Sequence, residues 1–171
     1  NYASDHPMVL ATKNNIAQVY ASEERYGEAI SLFETVIREY RENSTEDSAF
    51  LATVYDNLST AYREMERYED AIDICTEGLN IRKDIYGMRS LDYAISLNNL
   101  ALIYYEMGIL NDAADIFSEA LAIKKETLPE IHGQISIGYF NLRLVYDKLH
   151  MDNQALENYR ASMEIDNELE A

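Results

Sequence analysis

One octet recurs through this chain at a fixed interval. Leu97-Asn98-Asn99-Leu100-Ala101-Leu102-Ile103-Tyr104 is echoed 42 residues earlier by Tyr55-Asp56-Asn57-Leu58-Ser59-Thr60-Ala61-Tyr62. Another 42 residues back stands Lys13-Asn14-Asn15-Ile16-Ala17-Gln18-Val19-Tyr20, and 42 forward stands Tyr139-Phe140-Asn141-Leu142-Arg143-Leu144-Val145-Tyr146. A period of this size marks a supersecondary unit that buries its apolar face only by stacking on its neighbours. We read residues 1–171 as a single array, with repeats at about 8–40, 50–83, 92–125 and 134–168.

Each repeat carries two stretches of helical periodicity. In the third, Leu97, Leu100, Ala101 and Tyr104 precede a break at Gly108, and Ala113, Ile116, Phe117, Ala120, Leu121 and Ile123 follow. Such i, i+3, i+4 spacing predicts paired amphipathic helices. With only 6 Gly and 2 Pro, long stretches are free to be helical. Acids open each second helix (Glu28, Glu69-Asp70, Asp112) and cations close it (Arg41, Arg82-Lys83, Lys124-Lys125). Those are the signs the helix dipole favours at each end. Ala29, Ala71, Ala113 and Ala155 share one register, where a methyl side chain lets neighbouring helices approach. Tyr20, Tyr62, Tyr104 and Tyr146 form a second column, predicted to fill the space between pairs.

The net charge of −17 excludes nucleic acid and anionic membrane surfaces as natural partners, because phosphate binding needs clustered Lys and Arg. It favours basic or neutral proteins and peptides. No run approaches the roughly 20 apolar residues that span a bilayer. No signal pattern opens the chain, so a cytoplasmic setting is expected, and Asn1 with a linker-like 1–7 segment suggests a fragment of a longer protein. The lone Cys75 shares a column with Phe33, Phe117 and Tyr159, which predicts core packing rather than nucleophilic chemistry. The histidines His6, His132 and His150 are too dispersed for a metal site, and no phosphate-binding glycine loop is present. Neither an enzyme nor a cofactor is expected.

Paired helices with small residues at these registers and a tyrosine column resemble the tetratricopeptide repeat (TPR). The 42-residue period is similar to the variant found in kinesin light chains, whose linkers are of the Tyr-Gly…His-Pro…Ala kind. Here they read Tyr86-Gly87-Met88-Arg89-Ser90-Leu91-Asp92-Tyr93-Ala94 and Asp5-His6-Pro7-Met8-Val9-Leu10-Ala11. His132 is followed by Gly133 instead of Pro, and Arg143 replaces the small residues Ala17, Ser59 and Ala101. A buried cation there needs a partner, so this position is expected to open to water near an end of the array. The resemblance implies an all-α fold: a right-handed superhelical α-solenoid of four helix-turn-helix repeats, about eight antiparallel helices.

The same resemblance implies that first helices line a concave groove and that asparagines there clamp a ligand backbone. Carried over, that role falls on Asn15, Asn57, Asn99 and Asn141, with Asn14, Asp56, Asn98 and Phe140 flanking. An asparagine amide both donates and accepts, so it can pair with both groups of a peptide bond. Some of these amides can instead bond a neighbouring helix. Gln18 and Thr60 keep one half of the groove polar; Ile95, Leu102, Ile137, Phe140 and Leu144 make the other apolar. The expected ligand is a protein or peptide segment, basic or neutral, with an apolar anchor beside Phe140. The alternative is a structural, regulatory or oligomerisation array within a larger multidomain signalling protein, its partner being a second copy.

Overall fold

The structure, a computed structural model, describes residues 7–42 and 48–171. Among the described residues there are eight α-helices and no strand: α1 Pro7–Ser22, α2 Tyr26–Glu42, α3 Ser48–Glu64, α4 Tyr68–Tyr86, α5 Leu91–Glu106, α6 Leu110–Thr127, α7 Gly133–Lys148 and α8 Asp152–Leu169. The all-α repeat reading holds. His6 and the polar linker 43–47 lie outside the described residues. None of the helices is long and apolar enough to cross a membrane.

Every α-turn-α joint is made the same way. The residues at 24, 66, 108 and 150 (Glu24, Glu66, Gly108 and His150) all adopt positive φ, between 56° and 78°. The next amide reaches back to the column tyrosine: Arg25, Arg67, Ile109 and Met151 donate to the carbonyls of Tyr20, Tyr62, Tyr104 and Tyr146 at 2.9 Å. This is the Schellman stop, which satisfies carbonyls that a helix end leaves open. Its usual side-chain contact is present too. The guanidinium of Arg25 lies 4.2 Å from the Tyr20 ring centroid, and that of Arg67 lies 4.5 Å from Tyr62. The tyrosine column thus anchors the turns as well as filling space; Tyr62 is buried, while Tyr20, Tyr104 and Tyr146 are half-buried.

Starts of first helices follow the repeat as well. Ser90 Oγ accepts the Tyr93 N–H at 3.2 Å, and 42 residues on His132 Nδ1 accepts the Gln134 N–H at 3.1 Å. The linker histidine is therefore an N-cap.

The chain divides into two compact units, Asn1–Ile85 and Tyr86–Ala171. In each, the two first helices lie side by side and the second helices pack against them. The alanine column is the closest-packed register, with Ala29, Ala71 and Ala113 fully buried and Ala155 nearly so. A second buried column, Val36, Gly78, Ala120 and Ser162, runs along the same helices. At Gly78 a Cβ would sit 3.1 Å from Tyr55 Cβ and 3.4 Å from the Ala52 carbonyl oxygen, so α4 approaches α3 as closely as side chains permit. Cys75 is buried, as its column predicts.

Arg82 departs from its expected role. It does not serve only as a terminal charge for α4: its Nη2 meets Asp56 Oδ2 at 2.5 Å, with both side chains about nine-tenths buried. Lys83 is left to face the helix end.

Candidate functional site

In the Asn1–Ile85 unit the first-helix face is formed by α1 and α3. Asn15, Gln18 and Thr60 are exposed on it, and Asn57 is half-buried. Asn14 and Asp56, read from the sequence as flanking the ladder, are instead buried between helices. Asn57 Nδ2 donates to Asn14 Oδ1 at 3.1 Å, tying α3 to α1. Asp56 holds Arg82, and its backbone oxygen accepts the Thr60 hydroxyl at 3.0 Å.

The Tyr86–Ala171 unit repeats the device. Asn141 Nδ2 donates to Asn98 Oδ1 at 3.0 Å, tying α7 to α5. Asn141 is buried, and Asn98, Asn99, Leu102 and Leu144 are half-buried. Phe140 and Ile137 are 43% and 54% exposed, large values for apolar side chains on a helix that otherwise packs inward.

Both bonds run from a ladder residue to the residue 43 positions before it. They fix the spacing of first helices and engage one N–H of each amide, leaving the second N–H and an oxygen lone pair. Asn15 and Asn99 differ: among the described residues their side chains make no hydrogen bond. One fully free amide therefore stands in each unit beside one that braces the helices. Asparagine at both 14 and 57, and at both 98 and 141, is the sequence signal for this bracing, which the sequence allowed for without showing the partners.

A sequence comparison matches residues 8–84 and 50–126 to the tetratricopeptide repeat family. The chain belongs to that family. No curated protein matches it. Among solved structures, BtubC (BKLC) from P. vanneervenii is similar at 22% identity and a TM-score of 0.87, over 95% of this chain and 65% of that one. The present chain thus spans under two thirds of that relative's length. A Podosopora anserina structure with nearly identical TPR-like repeats of kinesin light chain type aligns at 20% identity and a TM-score of 0.78, over 99% of this chain and 80% of that one. MamA aligns at 18% identity and 0.70, covering 95% and 81%. These likenesses establish the fold, an all-α TPR array of the kinesin-light-chain-like type.

TPR arrays mediate protein–protein interaction, and the residues around Phe140 suit such work. Arg143, expected to open to water, is half-buried and partnered. Its Nε lies 3.0 Å from Asp147 Oδ2, and its guanidinium sits 5.5 Å from the Phe140 centroid and 5.4 Å from the Tyr159 centroid. The cation packs its plane and stem between two aromatic rings, which holds Phe140 in place while leaving its outer surface exposed. Nearby, the Lys148 ammonium lies 3.9 Å from the Tyr105 centroid. The sequence reading missed this aromatic–cation set, because ring–cation pairs join helices and leave no periodic trace. The tyrosine column also carries a perturbed group: burial, then a 2.6 Å hydrogen bond to Glu34, pushes the Tyr62 phenol up to about 12.

Proposed function

We propose that this TPR array binds an extended peptide or partner segment on its first-helix faces. In each unit a free asparagine amide holds the segment's backbone, Asn15 in one and Asn99 in the other. Asn57 and Asn141 contribute their remaining donor and acceptor while bracing the helices. Gln18 and Thr60 offer polar contacts. Leu102, Phe140 and Leu144 receive an apolar anchor. The observation that carries the reading is the division of labour among the asparagines: braced amides fix the spacing, and Asn15 and Asn99 stand unbonded beside them. An unbonded, partly exposed amide next to a pinned one is ready to pair with a peptide group without first breaking a bond. The segment is basic or neutral, in keeping with the −17 charge.

The test is a peptide ligand selected from a random library and mapped to these faces. Asn99→Ala should weaken it by about 0.5–1.5 kcal/mol with no loss of thermal stability, as expected for one net hydrogen bond. Asn141→Ala should lower stability by about 1 kcal/mol as well, because it frees α7 from α5. Phe140→Ala should weaken the anchor, and an unchanged affinity in both Asn99→Ala and Phe140→Ala would sink the proposal.

A second reading has one observation in its favour. Leu156, Tyr159 and Met163 on α8 are exposed, whereas Ala114, Phe117 and Leu121, at the same register on α6, are buried. Such a face suits an array that works by stacking on another helical surface, as a regulatory or oligomerising element. Light scattering separates the two readings. A dimer broken by Tyr159→Glu supports stacking, and a monomer that binds the selected peptide supports the first.

A further inference from the structure

The opposite side of the Tyr86–Ala171 unit carries a furrow that the peptide-binding reading leaves unused. α6 and α8 stand on either side of α7 and leave a cleft with α7 as its floor. One end is a cavity of about 520 Å³ over Ile131, Ile135 and Ile165. The other end continues over Leu142 and Tyr146. From Ile135 to Tyr146 the floor runs about 16 Å at the rise of an α-helix, the length of roughly five extended residues.

The furrow is a product of the repeat, and the placing of its charges is not. A cleft of about 640 Å³ lies 84 residues earlier, between α2 and α4 over Tyr55, Leu58 and Tyr62. There Arg38 and Arg41 stand among Glu34, Glu42 and Glu77, whereas the later cleft has Ala122 and Lys125 at the two arginine positions. Lys125 is also engaged: its Nζ lies 3.1 Å from Tyr139 Oη and over that ring. Glu130, Glu164 and Glu168 line the isoleucine end together with Lys125, and among the described residues none of the three carboxylates is ion-paired. The positions of Glu164 and Glu168 are held by Asn80 and Asp84 in the earlier unit. An apolar floor rimmed by three carboxylates against the single cation Lys125 keeps a negative excess, which is complementary to an aliphatic side chain flanked by cations.

We propose that this furrow is a second docking site, taking a short basic segment whose aliphatic side chain enters over Ile131, Ile135 and Ile165. Lysine or arginine neighbours then meet Glu130, Glu164 and Glu168. The site lies between the two second helices over α7 and does not use the asparagine face of that helix.

The probe is a fluorescein-labelled heptapeptide of alternating lysine and isoleucine, titrated into the full chain at about 0.1 M salt, where exposed charges beyond about 10 Å are screened. Amide shifts on binding should cluster at Ile131, Ile135 and along α8. Glu164→Gln with Glu168→Gln should weaken the peptide about fivefold. Asp73→Asn with Asp84→Asn removes equal charge from exposed α4 positions and should change affinity less than about twofold. Ile131→Ser should weaken binding too, and Phe140→Ala should leave it unchanged, which separates this site from the first-helix face. Equal weakening by the two charge-removing pairs would reduce the effect to general attraction and overturn the proposal. Shifts confined to α5 and the Asn141 side of α7 would overturn it as well.

Discussion

At Asn57 and Asn141 one amide N–H is held by the preceding first helix, and at Asn15 and Asn99 it is not. Residues of one type in one column therefore divide between braced and unbonded amides, and the two braced ones each have an asparagine 43 positions before them. Cys75 shows the same dependence on surroundings. Burial, and then the nearby Asp56 carboxylate, push its thiol up to about 12, against a weaker opposing pull from Ser59 and Arg82. An unfolded cysteine ionises near about 8.5. The folded pKa is thus the higher one, so the neutral thiol favours the fold. That contribution is fully present below about pH 8.5 and is lost as pH rises toward 12, at about 1.4 kcal/mol per pH unit. Urea unfolding at pH 8 and pH 10 should differ by about 2 kcal/mol. The Cys75→Ala variant should lose most of that difference, although its cavity lowers stability at both values. An equal pH slope in wild type and variant would show that the thiol is not the group responsible.

The element that repeats most faithfully is the turn. All four joints place a left-handed residue at one register, yet only Gly108 is a glycine there. Glu24, Glu66 and His150 bear a Cβ in a conformation that costs a non-glycine residue about 1 kcal/mol or more. Glu66→Gly should raise the stability of the chain by about 1 kcal/mol, and Gly108→Ala should lower it by a similar amount. A contrasting control is Glu69→Gly, three residues on in the first turn of α4, which should lose up to about 1 kcal/mol because it removes a charge the helix dipole favours there. Thermal melts followed by circular dichroism read all three, and a lower midpoint for Glu66→Gly would contradict the strain assigned to this turn. The sequence makes these elements legible because the 42-residue period repeats each boundary signal four times. It placed the helix pairs, the alanine column and Cys75. It did not reveal that the joint at Glu24-Arg25 has the same left-handed stop as the one at Gly108, since neither residue is a turn former. Nor did it show that Arg82 turns inward to Asp56. Such pairings join different columns, and a column-by-column reading cannot see them.

Over the whole molecule, 31 acids against 14 cations set two responses to salt that have opposite signs. Self-repulsion among the surplus carboxylates opposes the compact state, and it acts furthest at low ionic strength. The internal bonds are screened less, because Asp56 and Arg82 are buried and the asparagine braces carry no net charge. Raising salt from about 0.01 to 0.15 M shortens the screening length from about 30 to 8 Å. Relief of repulsion by about 1–2 kcal/mol should then lift the melting temperature by about 3–6 °C for a chain of this size. Over the same range a basic peptide should bind more weakly, because the field that attracts it is the one being screened. The two measurements form one prediction: stability rises with salt while affinity for a cationic segment falls. A melting temperature that drops over this range would mean that exposed ion pairs such as Arg25–Glu28 and Arg67–Asp70 outweigh the repulsion. Each such pair is worth at most about 1 kcal/mol, against a surplus of 17 negative charges, so the repulsive contribution should dominate.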